Sequence, residues 1–202
     1  MYEERSYRAV SRPSDLLCYE VRYKETDLLC CTTVDLKDHI KERVLFYRNQ
    51  LEQYIALRPE FRESLVPVAF DRFAPQIARE MMETTSPLGV GPMASVAGAV
   101  AEFVGRDIAT QSPEFILENG GDVFLRTHSE RLSLIYAKDS PYSGKIGVKL
   151  KPEPEPYGIC TSSATVGPSL SLGRADAVVV LAASSLFADG LATYVGNGVK
   201  NK

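Results

Sequence analysis

Residues 158–199 read GICTSSATVGPSLSLGRADAVVVLAASSLFADGLATYVGNGV. Small hydroxyl-bearing residues, Thr161, Ser162, Ser163 and Thr165, run with Gly167 through a predicted loop. An apolar run from Ala175 to Ala182 follows, with the length and β-branched content of a strand. The remainder predicts a helix carrying Asp189 and Thr193, and side chains four residues apart on a helix share one face, one turn above the other. A carboxylate and a hydroxyl stacked in this way can hold a hard, oxygen-seeking cation such as Mg²⁺. The spacing also suits a plainer reading, in which Asp189 favours the dipole near a helix start and Thr193 fills a β-branched inner position.

Moving upstream, EFILENGGDVFLRT at 114–127 predicts two strands joined by Asn119, Gly120, Gly121 and Asp122, because the glycines supply the positive φ of a tight hairpin turn. Further strands are predicted at 132–137 and 146–150, followed by the stiff spacer KPEPEP at 151–156. The segment 86–105, SPLGVGPMASVAGAVAEFVG, opens as a Gly-Pro loop and becomes helical from Met93, with Val96, Ala97, Val100, Phe103, Val104 and Ile108 at helical spacing. Side chains this small require close packing. The start of that helix offers free N–H groups to an anion, or it is an ordinary loop before a buried helix.

The N-terminal part predicts a hairpin, LLCYEVRY (16–23) and LLCCTTV (28–34) across KETD. A helix capped by Asp35 then carries the stripe Leu36, Ile40, Val44, Tyr47, Leu51, Tyr54 and Ile55 and stops before Pro59. Residues 60–72 read as a connection with one helical turn, and Pro75–Glu83 as a short helix with Ile77 and Met81 inward. Hairpin, helices, several strands and a last helix make an α+β fold, a mostly antiparallel sheet packed against helices. One domain is expected over 1–202, with a hairpin-and-helix part at 1–85 and a motif-bearing part at 86–199.

At 202 residues and 45% hydrophobic content the chain can bury a full core. A net charge of −3 with scattered Lys and Arg leaves no basic footprint, so nucleic acid and anionic membranes are poor partners. No run approaches the roughly eighteen apolar residues of a membrane span, and the first residues lack the apolar core of a leader, so a soluble cytoplasmic protein is expected. Cys18, Cys30, Cys31 and Cys160 form no CxxC pair, and adjacent Cys30 and Cys31 would point to opposite faces of a strand. With His39 and His128 the only histidines, zinc is disfavoured and reduced, buried thiols are expected.

The ENGGD turn, the GICTSS loop, the SLSLGRADA segment and ADGLAT, taken in that order, resemble the ApbE family of flavin transferases and still more its shorter relatives, the UPF0280 group. The resemblance implies a T-fold-related architecture. It implies binding of FAD or FMN with Mg²⁺ and transfer of FMN to a threonine or serine of a protein acceptor, or hydrolysis of FAD to FMN and AMP. Carried onto this sequence, Asp189 and Thr193 would ligate the metal with the backbone carbonyl of Ala94, and Asp189 would be the residue on which catalysis depends. Gly91, Ala94, Thr161, Ser162, Ser163 and Thr165 would line the flavin or dinucleotide. The sequence departs from the family at three places. Ala97 stands where the family carries a charged residue, Gly91 where it carries an acid, and GPSLSLGRAD where it carries His-x-x-Asp-Pro-x-x-Gly, with Pro168 at the histidine's place. Three readings stay open: a Mg²⁺-dependent transferase-like enzyme, a flavin- or nucleotide-binding protein without turnover, and a structural homodimer packed through the helix at 93–108.

Overall fold

The computed structural model describes Arg8 and residues 12–138, 140–166 and 171–200. Strands β1 (Leu17–Tyr23) and β2 (Thr26–Thr32) form the first hairpin, closed by Lys24 and Glu25 with Lys24 at positive φ. Helix α1 (Lys37–Leu57) follows and buries Ile40, Val44, Tyr47, Leu51 and Tyr54. Asp35 does not cap it through the expected geometry; its carboxylate instead accepts from the Lys37 N–H at 2.9 Å, two residues on. The connection contains the single turn α2 (Glu60–Glu63), and α3 (Gln76–Thr85) begins behind Pro75, with Ile77 and Met81 fully buried.

A 3-10 turn over Pro92–Ser95 leads into α4 (Val96–Ile108), then the ENGGD hairpin β3 (Phe115–Asn119) and β4 (Asp122–Arg126). β5 (Arg131–Leu134) and β6 (Gly147–Leu150) form a separate two-stranded sheet. β7 (Tyr157–Ser162), β8 (Val178–Ala182) and α5 (Ser185–Gly198) complete the described chain. The main sheet has the order β1-β2-β3-β4-β7-β8 with every neighbouring pair antiparallel.

Period-2 alternation sorts the strands' side chains between the two faces. Leu28, Cys30, Phe115, Leu117 and Phe124 pack with α1, α3 and α4 in the larger core. Leu125, Tyr157 and Ile159 lie on the other face, in a smaller cluster with Leu150 of β6. The same alternation puts Asn119 and Asp122 on the helix side at the turn of β3 and β4, and Cys160 on that side of β7. Helix α4 buries nine of its residues, from Gly98 to Gly105 and Ile108.

Two further corrections concern the cysteines and the last strand. Cys18 and Cys31 are directly opposite in β1 and β2 and form a disulfide, while Cys30 and Cys160 are free and buried. The expectation of reduced thiols throughout therefore fails for this pair, because adjacency of Cys30 and Cys31 sent one to the core and the other to its cross-strand partner. β8 begins at Val178, not Ala175, because the Ala175 carbonyl closes a loop by accepting from Ala164 N.

Candidate functional site

Helices α4 and α5 cross where the side chain of a residue would obstruct them. A Cβ on Gly98 would meet the Ser185 carbonyl oxygen at 2.3 Å and the Asp189 Cβ at 2.9 Å, so only glycine permits this approach. At the crossing each helix caps the other. Asp189 Oδ2 of α5 accepts from the Gly98 N–H at 2.9 Å, in the first turn of α4, where a helix has donors without internal partners. Glu102 of α4 is buried, and its Oε2 accepts from Leu186 N at 2.9 Å, from Ser184 Oγ at 2.7 Å and from Ser185 Oγ at 3.3 Å, in the first turn of α5. Arg106 holds the other oxygen of Glu102. Both carboxylates thus sit at the positive end of the opposite helix. The N–H groups expected to await an anion at the start of α4 are engaged by Asp189.

Around Asp189 the fold assembles several oxygens. Thr193 Oγ1 donates to the Ala94 carbonyl at 3.4 Å, which brings the turn before α4 and the middle of α5 together. Asn119 Nδ2 donates to the Ala97 carbonyl at 3.1 Å. Asp122 opens β4 buried, with Oδ1 accepting from Thr161 N at 3.3 Å and the Cys160 thiol against it. Ala94, Asp189 and Thr193 are therefore gathered in one place, and Asp122 and Thr161 adjoin them.

The other expected site residues fall elsewhere. Gly91 is buried with its Cα packed on the Ser64 carbonyl, where a Cβ would come within 1.9 Å, and its N–H bonds to Leu65 O. Thr161 and Ser162 belong to β7, not to a loop. Ser163 organises the turn after it: its Oγ donates to Asp176 O at 2.6 Å and accepts from Thr165 N and Val166 N at 3.0 Å each. Thr165 is exposed on that turn. Gly167 and Pro168 lie outside the described residues. Among the described residues no three His, Cys, Asp or Glu side chains form a metal-binding group, and no helix is long and apolar enough to cross a membrane.

Burial dominates the electrostatics. It pushes the Asp189 carboxyl up to about 7 against the pull of the Gly98 and Ala97 N–H groups, which favour the ionised form. Burial, and then repulsion from Asp189, pushes Asp122 well above the ordinary carboxylate range. Burial beside both acids raises Cys160 too, so it stays a thiol, donating to Ser185 O at 3.2 Å. A buried pair of acids that resist ionising together is the electrostatic setting that a cation relieves.

Asp122, Asn119 and Glu102 are the residues that sequence reasoning passed over. Asp122 and Asn119 read as turn formers, although their alternation with the core residues Phe124 and Leu117 already placed them inward. Glu102 stood out as the one acid inside the apolar run SVAGAVAEFV.

The family model described as AbpE bacteria matches residues 8–202. A UPF0280 protein of Methanocaldococcus jannaschii is 43% identical over 184 residues, covering 89% of this chain and 74% of the relative. The chain belongs to the UPF0280 group of ApbE-like proteins. A second member, from Methanosphaerula palustris, is 45% identical over 161 residues, covering 79% of this chain and 68% of that protein. Among solved structures, the apo form of the Pseudomonas stutzeri flavinyl transferase ApbE superposes with a TM-score of 0.59 at 12% identity, over 89% of this chain and 83% of that one. The fold is therefore ApbE-like.

Proposed function

We propose that this UPF0280 protein binds a flavin dinucleotide such as FAD together with Mg²⁺, and acts on its pyrophosphate as an FMN transferase or an FAD pyrophosphatase. The observation that carries the reading is the convergence of three oxygen-bearing groups, the Ala94 carbonyl, the Thr193 hydroxyl and the Asp189 carboxylate, beside the buried Asp122. These donors fit a hard cation: all are oxygens, one is a carboxylate, and a second acid adjoins it. Asp189, Thr193 and the Ala94 carbonyl would hold the ion. When bound, Mg²⁺ neutralises charge on pyrophosphate oxygens.

The chain's own groups supply orientation. The Gly98 N–H fixes one oxygen of Asp189 and so aims the carboxylate, and Glu102 fixes the start of α5 from which Asp189 projects. The bond from Thr193 to Ala94 sets the separation between the helix and the preceding turn. In transfer, an acceptor hydroxyl oxygen would bond to the FMN phosphorus as the pyrophosphate bond breaks and AMP departs with the bridging oxygen. In hydrolysis, water takes the acceptor's place.

A second reading, binding without turnover, is favoured by Ala97 and by the segment GPSLSLGRAD standing where the family has a charged residue and a histidine motif. One assay separates the two. Protein is incubated with FAD, Mg²⁺ and candidate acceptor peptides, and mass spectrometry looks for an FMN adduct and for free AMP. Either product supports catalysis; tight Mg²⁺-dependent FAD binding with neither product supports the binder. FAD binding that chelator leaves unchanged would sink the metal assignment in both readings.

A further inference from the structure

Beyond the α4–α5 crossing, the face of α5 that carries Asp189 and Thr193 continues one more turn to Asn197. Asn197 Oδ1 accepts from Leu172 N at 2.8 Å, and Arg174 N donates to Val199 O at 2.8 Å, so the strip 171–174 is tied along the last turn of this helix. The contact is close: a Cβ on Gly173 would meet the Gly196 carbonyl oxygen at 1.8 Å. Ala164 N bonds to Ala175 O at 3.0 Å, closing the other side. Between these anchors lies a cavity of about 340 Å³ lined by Ala164, Thr165, Gly173 and Arg174.

The chemistry of the lining is cationic. The Arg174 guanidinium makes no hydrogen bond or ion pair among the described residues. Thr165 contributes an exposed hydroxyl, oriented by the turn that Ser163 holds. Lys200 Nζ bonds to the Leu172 carbonyl at 3.2 Å, which adds a second positive charge two residues from Arg174. Asp176 is the acid near in sequence, and its backbone carbonyl accepts from Ser163. An arginine fork beside a hydroxyl is the pattern that recognises phosphate oxygens.

We propose that Thr165 and Arg174 form a site for a phosphate group, separate from the Asp189–Thr193 corner. Asn197, which anchors the strip, lies eight residues beyond Asp189, about 12 Å along the helix axis.

The test uses the whole chain with chelator present, so that the metal corner is silent, and inorganic phosphate as probe, followed by NMR shifts of Thr165 and Arg174 and by calorimetry. Native protein is expected to bind phosphate with an affinity that weakens as salt rises. Arg174→Gln should lose at least about tenfold and Thr165→Ala a few-fold. Arg174 is exposed, so matched melting curves establish that the variant is folded. Absence of phosphate binding in the native protein, or equal binding by Arg174→Gln, overturns the subsite. None of these outcomes depends on Mg²⁺, so the subsite and the metal corner can fail separately.

Discussion

Asp189 reaches from α5 to the first turn of α4 and accepts the Gly98 N–H at 2.9 Å, while Glu102 reaches from α4 to the first turn of α5 and accepts the Leu186 N–H at 2.9 Å. The two helices therefore satisfy each other's terminal donors across a crossing that only a glycine allows. One oxygen of Asp189 is committed to architecture, and Thr193, one turn further along α5, donates to the Ala94 carbonyl. The structural role of Asp189 and the metal-holding role proposed for it thus coincide in one side chain. Variants that separate them are the informative ones.

Gly98→Ala leaves every polar group in place and adds a single methyl at the crossing. That methyl would sit 2.3 Å from the Ser185 carbonyl, which is backbone and cannot swing aside. A loss of about 2–3 kcal/mol is expected from overpacking, read as a lower urea midpoint at an unchanged slope. Unaltered stability would mean that the two helices can move apart without cost.

Glu102→Ala removes the acceptor for Leu186 N, Ser184 Oγ and Ser185 Oγ in a buried position. Stranding these donors should cost about 3 kcal/mol, and Glu102→Gln, which keeps one carbonyl oxygen, clearly less. Chemical denaturation of the two variants checks the order. If both match the native protein, Ser184 alone suffices to cap α5.

The hairpins, the apolar stripe of α1 and the layer order were legible because period 2 and period 3.6 leave plain patterns in the residues. The proximity of Ala94, Asp189 and Thr193 could be written down only through the family resemblance, since a turn at 92–95 and a helix at 185–198 meet by packing and not by sequence. Asp122 was hidden for a different reason: an Asn-Gly-Gly-Asp run explains itself as a turn, and only the alternation with Phe124 places the acid inward. The pairing of Cys18 with Cys31 depended on the hairpin register, which puts residue 18 opposite residue 31 only when the turn is two residues long.

Thr193→Val and Thr193→Ser divide the roles of that residue. Valine keeps the β-branched shape and removes the oxygen; serine keeps the oxygen and loses a methyl. If Thr193 holds the cation, the advantage of Mg²⁺ over chelator in FAD binding should fall about tenfold or more in Thr193→Val and survive in Thr193→Ser, with both variants folded. Equal metal dependence in the valine variant would leave the hydroxyl as a helix-to-turn tie alone.

The last expectation concerns pH in the absence of divalent ions. Asp189 titrates near 7 in the folded chain against an ordinary value of 3.8, and Asp122 is raised as well, both chiefly by burial. Between those values the native state binds more protons than the unfolded state, so the stability these acids confer is complete below pH 3.8 and is lost as pH rises toward 7. Surface carboxylates such as Glu52 and Asp15, lowered by Lys24 and Arg131, act in the opposite sense at lower pH, so the useful quantity is the difference between native protein and variants. Urea midpoints at pH 5 and pH 8 in chelator should show the native protein losing stability toward pH 8. Asp122→Asn or Asp189→Asn should each reduce that loss, because removing one charge relieves the other, and the double variant should nearly abolish it. A native protein that gains stability over this range, with a slope the double variant does not change, would show that the two carboxylates ionise as freely as they do in water.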